Sequence, residues 1–239
     1  LGQDAPYLAG SMREISLQQI PYLWRAEALA GAAAQYVSSG RAELDRALGG
    51  GWPVPGLLEL LCDQHGMGEL QLLLPLMRAL CGSTDHAQSL KPVLWINPPF
   101  EPQAAALAQQ GLEPTQHWLI NHLDATNALW TAEQSLRSGA CVLVLSWLHG
   151  LTMPNLRRLK LAALSGACVG VLFRSQREAT QPTAANLRLQ LDATPEGLRI
   201  ELLKVQGRRH CAVVLPMQAQ QSYLLDKTPV HTAPVTKVP

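Results

Sequence analysis

Four short, nearly continuous apolar runs punctuate the chain: LLELL at 57–61, PVLWINPP at 92–99, CVLVLSWL at 141–148 and ACVGVLFR at 167–174. Runs that lack polar alternation read as strands buried on both faces. Helical patterns lie between them. GELQLLLPLMRAL (68–80) predicts a helix that Pro75 must kink or break. PQAAALAQQ (102–110) predicts a short helix closed by Gly111. Asp124 or Thr126 can N-cap a helix that runs to Ser138 and ends at Gly139. A further helix spans 154–164, with Pro154 in its first turn. LIN (119–121) reads as a short extra strand.

After residue 174 the pattern changes. SQREATQPTAAN (175–186) is polar and predicts a mobile loop. Residues 187–216 alternate apolar and polar positions and predict antiparallel strands, with turns at Glu196-Gly197 and at 206–209. The chain thus predicts an α/β domain: a mainly parallel sheet flanked by helices, with antiparallel strands at its C-terminal edge. Upstream, 15–36 predicts an Ala-rich helix, and 37–56 a turn-rich lead-in. The division expected is a cloning remnant at 1–11, the N-terminal helix and lead-in at 12–56, the core domain at 57–216 and a disordered tail at 217–239. No internal repeat is present.

Composition sharpens this picture. Hydrophobic residues make up 47% of the 239 positions and charged residues 15%, well under the roughly 25% of an average soluble domain. A thick buried sheet or a partner-covered surface would account for the shortfall. Net charge is +1, but residues 1–150 sum to −6 and residues 151–239 to +7. The basic C-terminal part suits a polyanion or an acidic protein patch. Its candidates are Arg157, Arg158 and Lys160 on one helix, and Lys204, Arg208 and Arg209 around a hairpin. No aromatic residue lies between these charges to stack on bases, which ranks protein above DNA as the partner. Trp52, in a Gly/Pro loop, is the tryptophan expected at a partner surface, whereas Trp95, Trp118, Trp130 and Trp147 are expected in the core. The five cysteines form no C-x-x-C pair and suit a reducing cytoplasm. No run is long enough to span a membrane. His117 and His122 lack metal-ligand company, and Ser146 lacks a nucleophile elbow.

The junction after residues 57–61 is where an α/β domain would place a phosphate-binding loop. Such a loop needs glycines for its backbone donors, a Lys for the phosphate oxygens and a hydroxyl for Mg²⁺. Here Asp63 holds the first glycine position (or Cys62, if the loop is one residue longer), Gly68 is the one glycine that survives in register, with Gly66 lying between, Glu69 replaces the Lys and Leu70 replaces the hydroxyl. Neither cofactor nor metal is expected at this loop.

The residues of the lead-in carry a resemblance. Val37-Ser38-Ser39-Gly40, Leu44-Asp45, Ala47-Leu48-Gly49, Gly56 and Glu59 resemble the segment entering the phosphate loop of RecA-type recombinases. That likeness implies a RecA-like fold without catalysis: Pro99 falls where the family's catalytic glutamate would be, and Leu145 where its metal-associated aspartate would be. Within this group, VSSGRAELDRALGGGWP, GMGELQLLLPLMRAL, LWINPPFEP, SGACVLVLSWL and SGACVGVLFR resemble the ImuA family over roughly 20–216. The SulA family of cell division inhibitors shares about Leu57 to Phe173. It ranks second, because that family is shorter and does not need residues 20–56. The ImuA likeness implies a cytoplasmic SOS-response accessory factor of translesion synthesis. Its partners would be an ImuB-like protein and an error-prone DnaE-type polymerase, with RecA a further contact; the RecA-type likeness implies self-association through the N-terminal helix. The SulA likeness implies a division inhibitor that binds the tubulin-like division protein.

Overall fold

The computed structural model describes residues 35–82, 91–205 and 211–216. Ten strands and five α-helices lie within them, in the order β1 (Gln35–Val37), α1 (Ala42–Leu48), β2 (Trp52–Val54), β3 (Gly56–Leu61), α2 (Leu74–Cys81), β4 (Val93–Ile96), α3 (Ala104–Gln109), β5 (His117–Ile120), α4 (Ala125–Ser138), β6 (Leu143–Trp147), α5 (Met153–Ser165), β7 (Val169–Arg174), β8 (Leu187–Thr194), β9 (Gly197–Lys204) and β10 (Cys211–Leu215). β1 and β2 form a small antiparallel pair, and the other eight strands form one sheet in the order β10-β9-β8-β3-β7-β6-β4-β5. Neighbours from β8 to β5 run parallel, while β9 is antiparallel to both of its neighbours, β8 and β10. The mixed α/β architecture follows the apolar pattern. The helix expected over 15–36 lies outside the described residues up to 34, and Gln35 and Tyr36 belong to β1 instead.

Two hydrophobic clusters cover the two faces of the sheet. Leu58, Leu60, Trp95, Leu145, Trp147, Val171 and Phe173 face one side with Leu44 of α1 and Leu76 and Met77 of α2. Leu57, Leu94, Ile96, Val144 and Leu172 face the other with Ala128, Ala132 and Leu136 of α4 and Leu156 and Leu159 of α5. This is why the runs show no alternation: both sides of each central strand are covered. At the ends of α4 and α5 the backbones nearly touch. A Cβ on Gly166 would lie 2.0 Å from the Leu136 carbonyl oxygen, so only glycine fits.

Local signals account for most helix ends. Asp124 caps α4 by accepting the N–H groups of Thr126 and Asn127, each at 2.9 Å, and Gly139 at φ 63° ends it. Thr152 and Asn155 form a capping box on α5, with Pro154 in the first turn. The Ser-Ser and Leu-Asp pairs of the lead-in are one device. Asp45 on α1 accepts the Ser38 hydroxyl at 2.5 Å and the Ser39 N–H at 2.7 Å, which folds the chain back onto its own helix.

Several expectations are corrected. Residues 68–80 do not form one kinked helix. A 3-10 turn at Gln71–Leu73 leads into α2, and Pro75 sits in that helix's first turn, where its missing N–H costs nothing. The short strand is β5, two residues earlier than expected, and it is a sheet edge with β4 as its one neighbour. Trp118 on this edge is 59% exposed and Trp130 on α4 60%, so neither is core, while Trp95 and Trp147 are. The 175–186 segment is tied down rather than loose, by bonds described below. Among the described residues no helix is long and apolar enough to cross a membrane. The tail at 217–239 and the turn at 206–210 lie outside the described residues.

Candidate functional site at the C-terminal ends of the parallel strands

β3 ends in the loop that runs from Cys62 to Leu70. Gly66 (φ 77°) and Gly68 (φ 109°) adopt the positive φ that turns their N–H groups inward. Both donate to the chain's own carboxylate: Gly66 N–H to Glu69 Oε1 at 2.8 Å, and Gly68 N–H to Glu69 Oε2 at 3.1 Å. Glu69 is 1% exposed, and Leu70 beside it is buried in the core. A backbone nest of the kind that holds anions is therefore filled from within.

Asp63 faces the other way. Its Oδ1 accepts the Ser175 hydroxyl at 2.7 Å and the Gln176 N–H at 3.0 Å, locking the loop to the segment after β7. The Ser175 bond, followed by the Gln176 bond, holds the Asp63 carboxyl below its ordinary range. Burial first, then the charges of Glu69 and Asp63, push the Cys62 thiol up to about 12, so it is inert as a nucleophile.

Beside the loop lies a buried ion network that the sequence reading did not identify. Glu59, in the middle of β3, is fully buried and accepts Arg174 Nη1 at 2.5 Å and Arg188 Nε at 2.7 Å. Arg174 also pairs with Glu178 and donates to the Leu151 carbonyl at 3.3 Å. Burial alone would raise the Glu59 carboxyl, but the bond from Arg188 and its fellows outweigh it and leave it lowered. Arg188 Nη1 collects the carbonyls of Glu178, Ala179 and Gln181 at 3.3, 3.3 and 2.5 Å, and so binds down the 175–186 segment. A clue was present: Glu59 interrupts LLELL and Arg174 ends VGVLFR, and neither charge belongs in a strand covered on both faces unless it is paired.

The basic candidates separate. Arg158 is drawn onto α4, where Glu133, 2% exposed, is shared between Arg137 and Arg158. That arginine is structural. Arg157 stands exposed on α5. Lys160 is half-buried on α5, and Lys204 is half-buried at the end of β9. Lys204 Nζ donates to the Thr183 carbonyl at 2.9 Å, and burial, then the Lys160 charge, lower its pKa. Arg208 and Arg209 lie outside the described residues. Trp52 is a correction: on β2, paired with Val37, it is 0% exposed and packed in the first cluster, not on a surface. Ser146, near the end of β6, is buried and donates to the Val171 carbonyl at 3.4 Å.

The comparisons with known proteins bear on this framework. The family profile described as Cell division inhibitor SulA matches residues 58–170, from β3 into β7. Cell division inhibitor SulA of Serratia proteamaculans is 32% identical over 123 residues, covering 50% of this chain and 68% of the relative. The same-named protein of Edwardsiella piscicida is 33% identical over 107 residues, covering 45% and 61%. The crystal structure of SulA from Pseudomonas aeruginosa aligns at 27% identity over 50% of this chain and 97% of that one, with a TM-score of 0.41. The family profile and the named relatives reverse the ranking of the two resemblances. The translesion-synthesis role is set aside, and with it the pseudo-ATPase label and the ImuB-like, DnaE-type and RecA partners, because the named relatives are division inhibitors. With relatives of this identity matched over two thirds of their length, the chain belongs to the SulA family.

Proposed function

We propose that this chain inhibits cell division by binding the tubulin-like division protein in the cytoplasm, as part of the response to DNA damage. The observation that carries the reading is the family match over 58–170, which spans the central parallel strands and both helical layers. The action is binding rather than catalysis. The inward N–H groups of Gly66 and Gly68 are already taken by Glu69, and Asp63 ties the same loop to Ser175 and Gln176. We read the architecture as RecA-like in outline, a reading supported by the parallel core, the antiparallel C-terminal strands and the Asp45-clasped lead-in.

Induced expression of the chain in a growing bacterium tests the proposal. Cells should elongate into filaments without septa while mass increase continues. Normal division at an expression level confirmed by immunoblot would overturn it.

A further inference from the structure

A groove of about 480 Å³ opens where the end of β10 meets the lead-in to α1 and the first turn of α2. Leu72, Leu74, Pro75 and Leu215 give it apolar walls, and Arg41 and Arg78 supply its charge. Among the described residues none of its lining side chains is acidic. Arg78 is committed: its Nε donates to the Gln110 carbonyl at 2.6 Å and its Nη2 to the Gln110 side-chain oxygen at 2.8 Å. Arg41 is exposed at the N-cap of α1, and among the described residues its guanidinium has neither a hydrogen bond nor an ion pair. The groove thus sets an apolar surface beside a free cation.

The chain itself supplies a segment of matching chemistry. Leu215 is a wall of the groove, and the chain leaves that wall through Pro216. Beyond it, Tyr223-Leu224-Leu225 is an apolar run, and Asp226 directly after it is the one acidic residue of 217–239. The Pro and Thr content behind the expectation of a disordered tail all lies after Lys227. In an extended segment Leu224 and Asp226 fall on one side and Lys227 on the other. Leu224 follows Leu215 by nine positions, an extended reach of about 30 Å, enough for the chain to turn and come back.

We propose that residues 223–226 return to this groove, with Leu224 on its apolar wall and Asp226 against Arg41. A tethered segment acts at an effective concentration of roughly millimolar, which ranks it above a free peptide or a second copy as the occupant. The assignment stands apart from the functional reading above. It gives the C-terminal segment a fixed place beside β10, at the sheet edge remote from β5.

Hydrogen exchange on the full chain tests it, with a synthetic peptide of residues 217–239 as the reference. Amides of 223–226 should exchange at least about tenfold more slowly in the chain than in the peptide. Arg41→Glu should abolish that protection, and Arg41→Glu with Asp226→Arg should restore it. Should reversal at Arg41 disturb α1, Asp226→Asn leaves the described fold untouched and should lower the protection by itself. Peptide-like rates in the parent chain overturn the proposal. Protection that survives both Arg41→Glu and Asp226→Asn places the segment elsewhere and overturns it too. Protection that rises with protein concentration assigns the groove to a second copy, and the intramolecular reading falls.

Discussion

The carboxylate of Glu69 accepts the backbone N–H of Gly66 at 2.8 Å, three residues back along the same loop, and that of Gly68 at 3.1 Å. An acid where a phosphate loop would carry its lysine thus has a positive role: it supplies the anion for which the loop's donors are arranged.

Removing that anion should loosen the loop. Glu69→Ala leaves two inward N–H groups without an acceptor, and a buried donor left unsatisfied costs roughly 1–3 kcal/mol. Urea unfolding should show a lower midpoint with an unchanged slope. Glu69→Gln keeps one carbonyl oxygen and should fall between the two. An alanine variant as stable as the parent would show that the clasp contributes nothing.

The network around Glu59 should be the most costly polar feature to disturb. Arg188→Ala strips Glu59 of one partner and frees three carbonyls of the 175–186 segment. Breaking a buried pair from one side costs about 3–5 kcal/mol. Hydrogen exchange should then rise at 176–182 before it rises in β3. Exchange that rises equally in both would mean that the segment is held by other contacts.

His117 supplies a pH dependence. Its Nδ1 accepts the Trp95 indole N–H at 3.1 Å, and burial pushes its pKa from 6.5 down to about 4. The unfolded chain therefore binds a proton between those values that the folded chain refuses. The contribution is fully present above about pH 6.5 and is lost as pH falls toward 4. Stability measured at pH 7.5 and pH 5 should drop for the parent and drop less for His117→Asn, whose carbonyl oxygen can take the Trp95 bond without titrating. Equal drops would remove His117 as the cause.

Much of the architecture was legible because a strand buried on both faces leaves an unmistakable apolar run, and four such runs placed β3, β4, β6 and β7. Strand order was not legible, and the misreadings follow from that. Trp118 belongs to a strand that lies at an edge, so an aromatic expected in the core stands in solvent. Trp52 sits in a Gly/Pro stretch that suggested exposure, yet it pairs with Val37 and is roofed into the first cluster. Arg157, Arg158 and Lys160 looked like one basic face, but Arg158 pairs with Glu133 of α4 while Arg157 stays exposed. The Glu59 network joins residues 115 and 129 positions apart, a distance no local pattern spans.

The central claim is direct inhibition of the division protein, and assembly in a purified system tests it most directly. The division protein would be polymerised with GTP in the presence of increasing amounts of this chain, and the polymer collected by sedimentation. The account predicts a dose-dependent loss of polymer from the pellet, with the Glu69→Ala variant acting in proportion to its folded fraction. Full polymer yield at a molar excess of well-folded chain would contradict it.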